Sequence, residues 1–234
     1  TYDDLVNFSV EIEDPPSVDY RGYQIYGCPP WCQGPVALQA LKILEGYDLV
    51  SIGQNNADTL HLILEALKAA FADRERYYGD PQFIDVPLDG LLHPEYAGVW
   101  RDRLRLDAAS PGMPEPGNPW PYNGRGAPGA GYRAPAAFAA PVEPDTSYLC
   151  VVDSGGNAFS ATPSDGVTGT PVIPGLGVIV SSRGVQAWLD EDHPSAIAPG
   201  KRPRLTPSPG MILKDGKVFA PYGTPGNDTQ PQAM

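Results

Sequence analysis

Hydrophobic and polar positions divide the chain into a helical first part and a strand-rich second part. Between residues 57 and 77, Leu60, Ile63, Leu64, Leu67, Ala70 and Phe71 recur at i, i+3, i+4 and i+7 spacing. That is the period of one helix face. Asn55 or Asn56 suits its N-cap, Asp58 suits its first turn, and Gly79-Asp80-Pro81 ends it. His61, Glu65, Lys68 and Glu75 fall largely off the stripe and read as a solvated face. Leu38, Leu41 and Leu44 predict a second helix over residues 36–45, stopped by Gly46. A turn at Pro29-Pro30-Trp31-Cys32-Gln33-Gly34-Pro35 leads into it, and residues 94–106 predict a further short helix. Residues 18–26, with Tyr20, Tyr23, Ile25 and Tyr26, read as a strand.

From residue 107 to 145 the character changes. Pro111, Pro114, Pro116, Pro119, Pro121, Pro128, Pro135, Pro141 and Pro144 alternate with glycines. Such a stretch buries too little apolar surface to offset its ordering entropy, so an unpacked, cleavable connector is expected. Short strands follow. Residues 148–153 and 158–162 predict a hairpin across Ser154-Gly155-Gly156-Asn157, and residues 178–181 predict another strand. Residues 210–214 and 217–220 predict a second hairpin across Asp215-Gly216, a strong turn signal. Helices first and strands later place the chain in the α+β class, with a largely antiparallel sheet. Residues 226–234 read as a loop entering a helix that the sequence does not complete, as in an interrupted chain.

Composition narrows the function. No run of ~18 apolar residues predicts a membrane span, and Thr1-Tyr2-Asp3-Asp4-Leu5 lacks the basic and apolar regions of a signal peptide. A net charge of −12 argues against nucleic acid or an anionic membrane as partner. Cys28 and Cys32 are spaced as neither a redox pair nor half of a zinc site. Cys150, in an apolar strand, reads as a small core side chain. This cysteine usage favours a reduced, cytoplasmic setting. His61, His93 and His193 lack ligand spacing, so neither a metal nor another cofactor is expected. Lys201-Arg202-Pro203-Arg204 lacks the glycines of a phosphate loop and reads as a charged loop.

The candidate chemistry lies at Thr146, which opens the first strand after the connector. A cut before it would leave an α-amine, of pKa about 7.7–8.0, beside its own hydroxyl. A neutral amine there takes the hydroxyl proton and makes a nucleophile of a weak alcohol. The plain alternative is a surface strand that begins with threonine.

Several blocks resemble, in order, the γ-glutamyltranspeptidase family of N-terminal-nucleophile hydrolases. They are Tyr20-Arg21-Gly22-Tyr23 with Pro29-Pro30 and Gly34, then Leu41-Lys42-Ile43-Leu44-Glu45-Gly46. Glu65 to Arg74 with Gly79-Asp80-Pro81, Asp145 to Asn157, Pro199 to Pro203 and Gly223-Thr224-Pro225-Gly226 complete them. The resemblance implies a precursor that cuts itself before a threonine into two associated subunits forming an αββα sandwich. Thr146 would then be the nucleophile and Asp145-Thr146 the cut bond. Thr162 and Ser164 match the family's Thr-x-Thr positions, and Ser164 would hydrogen-bond the nucleophile. Gly226 matches the first oxyanion-hole glycine and Asn227 replaces the second. Residues 1–106 would belong to the large subunit, 107–145 to the connector and 146–234 to the small subunit.

The departures concern substrate recognition. Thr146-Ser147-Tyr148 stands where the family has Thr-Thr-His, and Leu205-Thr206 where it has the Ser-Ser pair that grips the glutamyl carboxylate. The aspartate that holds the α-amine falls near Val185, in Ser181-Ser182-Arg183-Gly184-Val185, and Gly166 stands at an asparagine. The resemblance thus implies a small-molecule amide or γ-glutamyl-type substrate that need not be glutathione, with Arg183 and Thr206 as replacement carboxylate anchors. It also implies a longer N-terminal part carrying a substrate-binding arginine, so this stretch alone reads as an inactive internal piece. The competing reading is a non-catalytic relative that keeps the fold as a binding or assembly module.

Overall fold

The computed structural model describes residues 2–127, 146–165 and 170–234, so Asp145 and Gly166 lie outside the described residues. In chain order the elements are α1 (Tyr2–Val6), β1 (Ser17–Tyr20), β2 (Tyr23–Tyr26), α2 (Gly34–Leu44), α3 (Leu49–Ile52), α4 (Ala57–Tyr77), α5 (Leu88–Leu91) and α6 (Pro94–Arg103). They continue with β3 (Leu149–Val152), β4 (Ala158–Ala161), β5 (Gly210–Lys214), β6 (Lys217–Tyr222) and α7 (Gln230–Ala233). The mixture is α+β, as expected.

The longest helix, α4, begins where the Asn56 side chain accepts the Thr59 N–H at 2.9 Å, which satisfies one of the donors a helix start leaves open. Its inward face keeps Leu67, Ala70 and Phe71 of the expected stripe and turns away from Leu60 and Leu64. Leu60 and Leu64 are about half exposed, at 48% and 53%, whereas Leu62, Ala66, Ala69, Ala70 and Asp73 are buried. The alanines, beside Leu62 and Leu67, let α2 approach closely. Glu65 is likewise buried instead of solvated. It accepts Lys68 Nζ at 2.6 Å and both the N–H and hydroxyl of Ser110.

Residues 18–26 form two strands rather than one, because Arg21 and Gly22 both take left-handed φ and fold the chain back. The sheet order is β1-β2-β5-β6, antiparallel throughout. Its β5–β6 turn is Asp215-Gly216, with φ of 51° and 72°, the paired left-handed conformation of a tight hairpin. Leu38 of α2 packs on Val18 and Ile25 of the sheet. Val36, Ala40 and Ile43 of the same helix pack into the α4–α6 cluster. Helix α2 is therefore the layer between sheet and outer helices.

β3 and β4 pair as a separate hairpin. Leu149, Val151 and Phe159 are exposed there, and so is Cys150, which is not the core side chain expected. Apolar composition makes a strand, but burial needs a covering layer, and the described residues supply none at this hairpin. Residues 178–181 form no strand. The turn that closes Gly177 N–H onto Ile173 O leaves only an isolated Val172–Ile179 bridge.

The first part of the Pro/Gly-rich stretch is docked, contrary to expectation. Asp73, buried on α4, accepts Gly117 N–H at 2.8 Å, and Tyr77 donates its hydroxyl to Gly117 O at 2.8 Å. Asn123 accepts the Gly90 N–H at 3.0 Å. These polar bonds offset ordering entropy that apolar burial alone does not. The rest of the stretch, 128–145, lies outside the described residues.

Asp73 is the anchor of this layer. Its carboxylate also accepts Gln39 Nε2 at 2.6 Å, Tyr96 hydroxyl at 2.7 Å and Trp100 Nε1 at 2.9 Å. Burial pushes its pKa up, although those bonds oppose the rise. Replacing it, as in Asp73→Ala, strands several buried donors at a cost of ~1–3 kcal/mol each. The expected result is a loss of more than about 3 kcal/mol in urea unfolding of the natural chain. An unchanged midpoint would refute the anchoring role.

Candidate active site

The β3–β4 hairpin brings its two open ends together. Its ladder runs from Val152↔Ala158 to Leu149↔Ala161. Past the last pair the ends stay in register, because Ser147 N–H donates to Pro163 O at 3.0 Å. Pro163 has no N–H to return, so regular pairing stops there. The result sets Thr146 Oγ1 2.5 Å from Ser164 Oγ. Thr162 is buried, and its hydroxyl has no hydrogen-bond partner among the described residues.

Tyr148, which stands where the resembled family has histidine, acts as a strut. Its hydroxyl lies 3.1 Å from Ser160 Oγ, which donates to Tyr222 O at 3.2 Å. Its ring lies against Gly223, where any Cβ would collide with it. The hairpin is thus tied to the end of β6, from which the chain continues to Gly226 and Asn227.

Arg183 reaches the hydroxyl pair from a short 3-10 turn at Arg183–Gln186. Its Nε donates to Ser164 O and its Nη2 to Ser164 Oγ. Asp165 Oδ1, 3.9 Å from Arg183 Nε, accepts Ser181 Oγ at 2.6 Å. Ser181 Oγ in turn accepts the Arg183 N–H at 3.2 Å.

The remaining expected residues meet through a side chain that the sequence pattern did not reveal. Gln33, fully buried before α2, donates Nε2 to Thr206 O at 2.6 Å and to Asn227 O at 2.7 Å. Its Oε1 accepts Arg74 Nη1 at 2.7 Å. The only sequence signal was a polar residue inside the turn entering α2, which any exposed turn also shows. Thr206 Oγ1 accepts Gln186 Nε2 at 3.3 Å. Gly226 has φ of 120°, a conformation that favours glycine, and its carbonyl accepts Thr229 N–H at 2.8 Å. Asn227 follows with φ of 45°.

Arg74 also grips Asp228 through both guanidinium nitrogens, at 2.7 and 3.0 Å, and bonds Glu75. Glu75 is shared with Arg204 at 3.1 Å, so it is not a solvated side chain either. Burial pushes the Asp228 carboxyl up, but Arg74 outweighs it and holds the pKa below the usual carboxylate range. Glu75 is also lowered, because Arg204 and Arg74 outweigh burial. Arg202, Arg204 and their carboxylate partners make the expected charged loop a paired one. Among the described residues, no group of three or more His, Cys, Asp or Glu is placed to hold a metal. No helix among them is long and apolar enough to cross a membrane.

The structure therefore places Ser164 in contact with both Thr146 and Arg183 and joins Thr206 to Asn227 through Gln33. Thr162 bonds none of them, and Asp145 lies outside the described residues.

The family description Gamma-glutamyltranspeptidase matches residues 1–234. The chain is 36% identical to the Glutathione hydrolase-like YwrD proenzyme of Bacillus subtilis (strain 168), covering 100% of this chain and 40% of that protein. It is 36% identical to the Acylase ACY 1 proenzyme of Pseudomonas sp. (strain SE83), covering 95% of this chain and 37% of that protein. The crystal structure of cephalosporin acylase from Bacillus halodurans superposes with a TM-score of 0.79 at 33% identity, covering 99% of this chain and 38% of that one. The chain thus spans about 40% of the length of the curated relatives it matches.

Two outcomes follow from the network. Gln33→Leu removes the partner of two main-chain carbonyls and of Arg74, so unfolding stability should fall by about 2–5 kcal/mol. A loss under about 1 kcal/mol would show that the clamp is dispensable. Asp228 and Glu75 have folded pKa values below their unfolded ones, near 4. Their contribution to stability is present above about pH 4 and is lost as pH falls through the folded values. Asp228→Asn should flatten that acid slope in urea midpoints measured from pH 7 to 3.

Proposed function

The chain belongs to the gamma-glutamyltranspeptidase family, and on that premise we propose that the protein carrying it is a self-processing amide hydrolase or acyltransferase whose nucleophile is Thr146. The observation that carries this reading is the 2.5 Å contact between Thr146 Oγ1 and Ser164 Oγ. A strand that merely begins with threonine has no need of a second hydroxyl against the first.

Self-processing would begin with attack of Thr146 Oγ on the Asp145 carbonyl. A C–O bond forms, the Asp145–Thr146 C–N bond breaks, and the hydroxyl proton passes to the leaving nitrogen. Water then hydrolyses the ester. It leaves a carboxylate on Asp145 and an α-amine on Thr146. In turnover that amine takes the Thr146 proton while the oxygen attacks a substrate amide, and returns it to the leaving amine. Water or an acceptor amine releases the acyl group. Main-chain N–H groups around Gly226 and Asn227 would stabilise the oxyanion, a contribution of about 10²–10³ in rate.

The acyl group would not be held as a γ-glutamyl head is. By resemblance, the family's amine-holding aspartate falls near Val185 and its carboxylate-gripping serines at Leu205-Thr206, and an exposed valine offers nothing to an ammonium. An unpaired charged head buried there would cost several kcal/mol. An acyl group lacking the amine fits better. A relative used only as a binding module is disfavoured by the same hydroxyl contact.

Intact mass and N-terminal sequencing of the full natural chain test the reading. Two fragments are expected, one beginning Thr-Ser-Tyr-Leu-Cys, and Thr146→Ala should stay whole with amidase activity reduced at least ~10³-fold. A wild-type chain that remains uncut on long incubation would overturn it.

A further inference from the structure

We propose that Arg183 is a positioning residue for the nucleophile, acting through Ser164 rather than on the substrate. The inference rests on the reading of Thr146 as that nucleophile. Arg183 grips a single residue twice, through the main-chain carbonyl and the hydroxyl of Ser164. This double grip fixes where Ser164 Oγ stands. A guanidinium has only donors, so Arg183 occupies an acceptor position on the Ser164 hydroxyl and cannot take its proton. Thr146 Oγ1, 2.5 Å away, is an acceptor within reach of that proton.

Donation from Ser164 to Thr146 has a chemical consequence. A threonine oxygen that accepts a hydrogen bond is stabilised as it gains negative charge during attack. Its own proton is directed elsewhere, toward the base that removes it. The reverse direction, with Thr146 donating to Ser164, would hold the proton on a poor base. A fixed positive charge one hydroxyl away from the nucleophile works in the same sense. Arg183 is itself held, by Asp165 on one side and through its N–H by Ser181 on the other. Its side chain is only 15% exposed. An arginine so committed is withdrawn from the carboxylate-anchor role expected from the sequence.

Self-cleavage separates the two roles, because it needs the nucleophile but no substrate. The full natural chain is made by cell-free synthesis and cleavage before Thr146 is followed by intact mass. Arg183→Gln should slow cleavage by about 10- to 100-fold, the scale of a misplaced reacting group. Arg183→Lys, which keeps one charged donor, should recover part of the rate. Ser164→Ala combined with Arg183→Gln should be no slower than Ser164→Ala alone, as required of a residue that acts only through Ser164.

Cleavage of Arg183→Gln at the wild-type rate would overturn the proposal, as would losses that multiply in the double variant. So would slowing matched by a collapsed urea midpoint and not relieved by lysine, which marks a folding defect. A carboxylate anchor predicts normal cleavage with a raised KM. If wild-type chain never cuts, or Thr146→Ala cuts as wild-type does, the nucleophile reading falls and this proposal with it. If wild-type cuts, Thr146→Ala does not and Arg183→Gln keeps pace with wild-type, the positioning role alone fails.

Discussion

A guanidinium removed from water must be given partners, and Arg74 is 4% exposed. An unpaired charge at that depth costs far more than the fold has to spare. Asp228, Glu75 and Gln33 converge on it for that reason. These partners come from the turn after Gly226, from α4 itself and from the entrance to α2. Satisfying one cation therefore binds the loops that follow the connector to the helices that precede it. Arg204 adds a second cation to the cluster. Burial and the nearby Arg74 lower its pKa, while the shared Glu75 opposes that. Gln33 extends the network outward, because the amide that pairs with Arg74 also holds the carbonyls of Thr206 and Asn227.

The hydroxyl pair belongs to a second, lighter assembly. A short antiparallel hairpin brings Thr146 and Ser164 together by register alone. What holds that hairpin in place is not apolar packing, since its side chains are largely exposed. Polar and steric ties do it: Tyr148 against Gly223, Ser160 to Tyr222 O, and Arg183 to Ser164. The buried network positions the turn around Gly226, and these ties position Thr146 and Ser164. Both assemblies are held from the same strand end, β6.

The connector shows the same preference for polar anchoring. Its described part is rich in proline and glycine, yet Asp73 and Glu65 draw it onto the helices. Both are buried carboxylates on α4, and main-chain N–H groups of the connector help to satisfy them. Entropy arguments that count only apolar burial miss this contribution.

Periodicity and turn chemistry made much of the fold legible from sequence. The span of α4, its Asn56 cap, the Asp215-Gly216 hairpin and the hairpin after Thr146 are local features, governed by spacing and backbone preference. The order of the motif blocks identified the family, and the resemblance implied the contact between Thr146 and Ser164. Tertiary structure decided what spacing does not encode. It chose which face of α4 is buried, because that depends on where α2 can approach, and it folded residues 18–26 into two strands. It assigned Gln33 its place between Thr206 and Asn227, far away along the chain. It also set Arg183 on Ser164, a contact whose two ends lie in separate turns. Hydrogen bonds between distant residues leave no period in a sequence, so buried polar groups become readable only when the chain has closed around them.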